Sequence, residues 1–237
     1  MSGVGQIAGI WRYPVKSMLG EQLDEVLVED RGLAGDRLYA MREPDGKLGS
    51  GKSTRRFRAI EGLFRFSAAY EDGDTTPVIT LPDGARLRGD DATVDGELSR
   101  LLKRDVSLAR EAEVSHFDRG PIHVLTTASL RCLQRLLPNA TLDPRRFRPN
   151  ILLETGGVDF LEDGWLGRRL ILGQNVELRV TERTERCIMT TFGQSELPAD
   201  PTIFRAIANH NALCLGVYAT ATTTGAVQIG DEVTLTG

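Results

Sequence analysis

The chain has 237 residues, 41% of them apolar and 26% charged, with a mean hydropathy of −0.20 and a formal net charge of −4. That length allows one large core or two closely packed lobes, and no apolar run reaches the roughly 18–20 residues of a membrane helix. The acidic balance argues against nucleic acid or an anionic membrane as a general partner, and Met1 to Gly5 enter a strand-like pattern without signal-peptide features, so the expected compartment is the cytoplasm.

In chain order, residues 6–13 read as a strand ended by Pro14, and 22–29 as a second with Leu23, Val26 and Val28 on its apolar positions. Residues 36–42 form a third, turned by Pro44-Asp45-Gly46. Strands at 64–70 and 77–81 are joined through Glu71 to Asp74, and Pro82-Asp83-Gly84 makes another tight turn. The first helix is predicted at 91–104, where Val94, Leu98, Leu101 and Leu102 share a face. Strands follow at 105–110 and 121–125, then a helix from Thr127, read as its N-cap, to Leu137 before Pro138. Strands at 150–154, 168–173 and 176–182 precede a helix at 201–209 that opens with Pro201 after Asp200. Strands at 213–219 and 226–235 close the chain. The strands do not alternate with helices as a doubly wound fold requires. The expectation is a mostly β chain with a few short helices, formally α+β, around a barrel-like core.

The chemistry-bearing residues are few. Gly46-x4-Gly51-Lys52-Ser53 matches the phosphate-loop pattern in letters, but neither a buried strand before it nor an amphipathic helix after it is predicted, so it reads as a solvated hairpin loop. His116, His123 and His210 lack metal-ligand spacing. His123 fits a hydrogen-bonded strand histidine, whereas His116, in a polar loop with Asp118, is the better acid–base candidate. Cys132 and Cys214 sit among apolar residues and read as buried, inert thiols. Cys187 differs: it leaves a strand beside Arg183 and Arg186, and cations next to a thiol favour the thiolate that attacks or ligates metal. Basic clusters stand at other strand ends: Lys16-Ser17, Arg37, and Arg145-Arg146-Phe147-Arg148. Together they suit a phosphate-bearing ligand.

Four motifs occur in an order that resembles MOSC-domain proteins: Tyr13-Pro-Val-Lys-Ser-Met18, Gly32-Leu-Ala-Gly-Asp-Arg37, Arg146-Phe-Arg-Pro-Asn150, and Arg186-Cys187-x-x-Thr-Thr191. That family includes the mitochondrial amidoxime-reducing component, bacterial reductases of N-hydroxylated compounds, and the C-terminal domain of molybdenum-cofactor sulfurases. The resemblance implies an N-terminal β-rich MOSC-N portion at 1–95 packed on a β-barrel-like MOSC domain at 96–237. It implies a molybdenum–molybdopterin cofactor with Cys187 as metal ligand. Lys16, Ser17, Arg37, Arg146, Arg148 and Arg186 would then hold the cofactor, Asn150, Thr190 and Thr191 would line the site, and His116 or Asp118 would relay a proton. The implied activity is reduction of N-hydroxylated or N-oxide compounds. Its electrons are expected from a separate electron-transfer protein, because no Cys-rich iron–sulfur segment follows. Two alternatives stay open: a persulfide carrier that uses Cys187 to pass sulfur to an acceptor, and a non-enzymatic molybdopterin carrier. Glu185, an acid beside that cysteine, is expected to turn away toward Arg183 or Arg146.

Overall fold

Seven strands whose apolar residues alternate inward close on one another. They are β1 (Ser2–Arg12), β2 (Ile122–Thr126), β3 (Ile151–Glu154), β4 (Arg169–Leu172), β5 (Val176–Glu185), β6 (Cys214–Thr223) and β7 (Glu232–Thr236). In this computed structural model, which describes residues 2–71 and 73–237, the sheet runs β3-β2-β6-β5-β4-β7-β1, and β1 then pairs with β3 to complete a barrel. Only β2 and β3 are parallel neighbours. Closure leaves these strands no free edge.

The period-2 rule explains both faces of the wall. Val124, Leu153, Leu178, Val180 and Val217 fill the interior with Ile7 and Ile10. Leu125 and Leu152, each next in sequence to an interior residue, face outward instead, and so does Leu215, which is separated from interior Val217 by the left-handed Gly216 (φ 81°). There they meet Leu133 of helix α2 (Thr127–Leu136) and Ile203 and Ile207 of helix α3 (Pro201–Asn211). A small sheet of Gly225–Gln228, Glu25–Glu29 and Gly32–Leu33 adds Val26, Val28 and Val227 to the barrel core.

The rest of the N-terminal half has its own core. A four-stranded sheet (Ser107–Arg110, Tyr39–Arg42, Leu48–Ser50, Phe57–Ala59) and a three-stranded one (Arg86–Arg88, Val78–Thr80, Ser67–Ala69) enclose Met41, Phe66 and Ile79 with Leu98 of helix α1 (Val94–Leu102). The chain passes between the two portions more than once: β1 belongs to the barrel, while Ser107–Arg110 pairs with Tyr39–Arg42.

The mostly β architecture with three α-helices matches the sequence reading, and the differences have local causes. The predicted strand at 36–42 begins only at Tyr39, because Gly35 (φ 77°) and Arg37 (φ 49°) turn the chain. The predicted strand at 226–235 is broken at Gly230 (φ 91°), whose N–H donates to the Ile7 carbonyl at 2.8 Å. The cap of α2 is Thr126 rather than Thr127, its hydroxyl accepting from the Ser129 N–H at 3.1 Å. Asp200 caps α3 as expected, accepting from the Thr202 N–H at 2.9 Å, and the helix runs on to Asn211. The phosphate-loop look-alike is a strand, Leu48–Ser50, followed by another at Phe57–Ala59 and not by a helix.

Candidate functional site: a cationic cleft at Cys187

Strand β5 ends at Glu185, and the Arg186 N–H then donates to the Leu213 carbonyl at 2.7 Å, fixing the point where the chain leaves the barrel. Cys187 comes next, half-buried, heading a 3-10 turn at Ile188–Thr191. Its carbonyl accepts from the Thr190 N–H at 3.2 Å and the Thr190 hydroxyl at 3.0 Å, and the Thr191 hydroxyl donates to the Ile188 carbonyl at 2.7 Å. Thr190 and Thr191 are therefore buried supports of the turn that carries the thiol, and they do not line the cleft in front of it.

That cleft has a volume of about 390 Å³, and its walls carry eight Lys or Arg side chains against two carboxylates, Asp118 and Glu185. In a protein of net charge −4, this is a concentrated positive field, suited to a multiply charged anion. The cations come from distant segments. Lys16 and Ser17 follow β1, Arg37 precedes Tyr39–Arg42, Arg148 precedes β3, and Arg186 follows β5; all five line the cleft together with Cys187. Ser17 (φ 63°), Arg37 (φ 49°) and Arg148 (φ 52°) all adopt left-handed backbone, a strained geometry for non-glycine residues and one that concentrates at functional sites.

Each cation is held differently. Arg37 is clamped by the buried Asp36 carboxylate and donates to Asn150 Oδ1 at 3.3 Å. Burial works against its charge, but Asp36 outweighs that and raises its pKa. Arg148 donates through Nη1 to the Met18 carbonyl at 2.7 Å and stacks 4.0 Å over the Tyr13 ring. Burial lowers it to about 10 and raises the Tyr13 phenol to about 12. Lys16 is almost fully buried, 4.3 Å above the Phe57 ring and 3.2 Å from Asp118 Oδ1. Burial pushes its ammonium down to about 8 despite Asp118. Burial also opposes ionisation of Asp118, but Lys16 and Lys52 more than offset this and hold its carboxyl below the ordinary range. Among the described residues, Arg148 Nη2 and Arg186 Nε are buried donors with no partner. Orphaned buried donors of that kind are costly unless a ligand accepts from them.

Other predicted residues take supporting positions. Asn150, fully buried, accepts from the His123 N–H at 3.0 Å and donates to the Trp11 carbonyl at 3.3 Å, tying β1, β2 and the Arg37 turn together behind the cleft. Arg146 reaches the cleft wall, yet its guanidinium donates to the carbonyls of Thr141 (2.9 Å), Phe192 (3.4 Å) and Pro198 (2.6 Å). It anchors the segment that follows the cysteine turn. His116 is buried against the Arg37 backbone and is absent from the cleft wall; burial lowers its pKa.

The structure also departs from the sequence reading. Glu185 lines the cleft, and Arg183 pairs instead with Asp163 at 2.7 Å and with Asn211. Cys132 and Cys214 are half-buried rather than buried. His123, read as a strand histidine, does lie on β2 with its ring nitrogens 3.3 Å from the Arg148 and Leu215 carbonyls, but it lines the cleft as well. Sequence reasoning missed Lys52, Arg56 and Tyr218 as wall residues. Arg56 had a local signal, the basic run Arg55-Arg56 before Phe57; its guanidinium donates to the Phe117 carbonyl at 3.0 Å and the Asp118 carbonyl at 3.1 Å, shaping the Asp118 loop. No group of three or more His, Cys, Asp or Glu among the described residues is placed to hold a metal ion by itself.

Comparisons with known proteins agree with this architecture. The YUAD protein from Bacillus subtilis superposes with a TM-score of 0.56 over 98% of this chain and 95% of that one, at 16% sequence identity, which speaks to the fold alone. Mouse mitochondrial amidoxime-reducing component 1 is 25% identical over 99% of this chain and 83% of its own length. The human protein of the same name is 25% identical over 99% and 84% respectively. The model of the MOSC N-terminal beta barrel domain matches residues 4–117, and that of the MOSC domain matches residues 111–234. More than half the chain thus falls under the second model, with the Cys187 turn inside it, and the protein belongs to the MOSC-domain family.

Proposed function

We propose that the cleft binds a molybdenum–molybdopterin cofactor with Cys187 as the protein's ligand to the metal, and that the protein reduces N-hydroxylated or N-oxide compounds. The observation that carries this reading is the half-buried Cys187 thiol opening on a cleft with eight basic side chains, two of which, Arg148 and Arg186, present buried N–H groups without partners among the described residues. A phosphate- and dithiolene-bearing group fits that donor set: it is anionic, and a thiolate is a soft donor suited to a metal already bound by sulfur. The relatives named as amidoxime-reducing components support the substrate class.

The cofactor, when bound, supplies the two-electron chemistry at the N–O bond. The chain's own residues hold and orient it. Arg148, Arg186 and Arg37 offer fixed N–H donors to phosphate and pterin oxygens, and Lys16 supplies a buried positive charge that an anion raises toward full protonation. The Thr190 and Thr191 hydrogen bonds fix the direction of the cysteine turn. Asp118, with its side chain partly exposed, stays ionised beside Lys16 at the cleft mouth and holds that ammonium in position. Electrons come from a separate electron-transfer protein, and the cytoplasm is the compartment in this reading.

The test is anaerobic reduction of hydroxylamines, N-oxides and amidoximes driven by reduced benzyl viologen, with protein expressed in the presence of molybdate. Turnover that requires Cys187 supports the proposal. A metal-free protein carrying a labile extra sulfur on Cys187 would instead point to persulfide transfer. Pterin binding that survives Cys187→Ala without any turnover would point to a carrier.

A further inference from the structure

A second cavity, of about 710 Å³, opens beside the first, a volume that suits a small organic molecule. The two share Ser17 and Met189 as wall residues, and Met189 belongs to the turn that Cys187 heads. Its character is the opposite of the first. Leu19, Ile60, Leu63, Phe64 and Phe192 supply apolar wall, and among the described residues its ionisable side chains are one acid and one base, Glu61 and Arg65.

Phe64 spans the two spaces. Its ring lies 5.5 Å from the Arg148 guanidinium on the cationic side and meets Phe192 edge-on at 6.3 Å on the apolar side. Phe192 is 38% exposed, unusual for so large an apolar ring. Edge-to-face aromatic pairs are a favoured arrangement, and a third ring extends them readily. Met189, flexible and polarizable, forms the shared wall, and such a side chain adapts to ligands of varied shape. The first cleft thus repels an uncharged apolar group by its desolvation cost, whereas the second welcomes one.

We propose that the second cavity holds the uncharged, apolar and preferably aromatic body of the substrate, whose N–O group is presented past Met189 to the Cys187 cleft. The proposal rests on the reductase reading for the identity of that N–O group, but the cavity's preference can be measured without it. Benzamidoxime and acetamidoxime share one head group and differ only in a phenyl or methyl body. Binding of each to the protein by calorimetry is expected to favour benzamidoxime by at least about ten-fold, equivalent to about 1.4 kcal/mol. That preference should fall to within about two-fold in Phe192→Ala and return in Phe192→Tyr, since aromatic contact is what sets it. The kcat/KM ratio of the molybdenum-loaded protein should follow the same order.

Equal affinities in the unaltered protein, or a phenyl preference untouched by Phe192→Ala, would overturn the assignment. Because Phe192 is partly exposed, its truncation spares the core. If it nevertheless unfolded the chain, Phe192→Leu, which keeps apolar bulk and removes only the ring, would serve as the second variant with the same expected loss of preference. A phenyl preference in binding with no reduction of either compound would uphold the cavity and sink the reductase reading. Equal binding with equal reduction would do the reverse.

Discussion

Lys16 Nζ stands 3.2 Å from Asp118 Oδ1, joining the end of the first barrel strand to the loop before the second. The lysine is nearly inaccessible and the carboxylate is 36% exposed in its side chain, so the pair is asymmetric. Burial opposes both charges but prevails only at Lys16, and Asp118 faces the cleft mouth.

The stability of the protein should carry the signature of that lysine. The unfolded chain keeps the Lys16 proton up to the ordinary value of 10.5, whereas the folded chain releases it at about 8. Between those values the unfolded state binds more protons, so stability rises with pH across the window, by on the order of 3 kcal/mol from this group alone. Urea titrations at pH 7, 9 and 10.5, compared with Lys16→Met, check this. The variant should lose the rise and be relatively more stable at the lower pH. A parallel pair of profiles would contradict it.

Two neighbouring arginines should respond in opposite ways. Arg146→Met leaves three backbone carbonyls without their donor and should cost roughly 3 kcal/mol in denaturant unfolding. Arg148→Met removes a buried cation with one unpartnered nitrogen, so unfolding should change by no more than about 1 kcal/mol in either direction. Binding of pyrophosphate, a probe for the cofactor's phosphate, should fall by at least about ten-fold in Arg148→Met. Calorimetric titration reads the second effect, and retained affinity would remove Arg148 from the anion site.

Glu162 offers a test of the barrel exterior, away from the cleft. It is fully buried and accepts from the hydroxyls of Thr126 (2.6 Å) and Ser129 (2.7 Å) at the start of α2. Burial raises its carboxyl from 4.5 to about 7 despite those bonds. The folded state therefore holds the extra proton in that interval: the contribution is complete below about 4.5 and is lost as pH rises through about 7. Glu162→Gln should stabilise the protein by about 1–3 kcal/mol at pH 8 and leave it nearly unchanged at pH 4.5. Thermal unfolding at the two pH values decides the matter.

The fold was legible where the sequence signal is local. Val94 and Leu98 on one helical face, Asp200 before Pro201, and the Pro44-Asp45-Gly46 turn each fold as their chemistry dictates. The barrel's closure was not legible, because β1 pairs with β3, about 140 residues on, and with β7 at the far end of the chain, and neither pairing leaves a local mark. At the site, the basic clusters announced themselves at strand ends, and the fold gathers Lys16, Arg37, Arg148 and Arg186 around one cleft with Cys187. What each guanidinium does was hidden. Arg146 and Arg148 are alike in the motif, yet Arg148 follows a left-handed turn into the cleft while Arg146 is taken up by carbonyls contributed from far along the chain. Glu185 was expected to turn away, but Arg183 already has Asp163 as partner, so the acid stays at the cleft wall.

Molybdenum content is the most direct measure of the role given to Cys187. Protein expressed with molybdate and analysed by plasma mass spectrometry should contain near-stoichiometric molybdenum together with releasable pterin. Cys187→Ser, whose half-buried position tolerates the change, should fold normally and lose the metal. Equal metal in the two proteins, or none in the unaltered protein when the cofactor is available to it, would contradict the assignment.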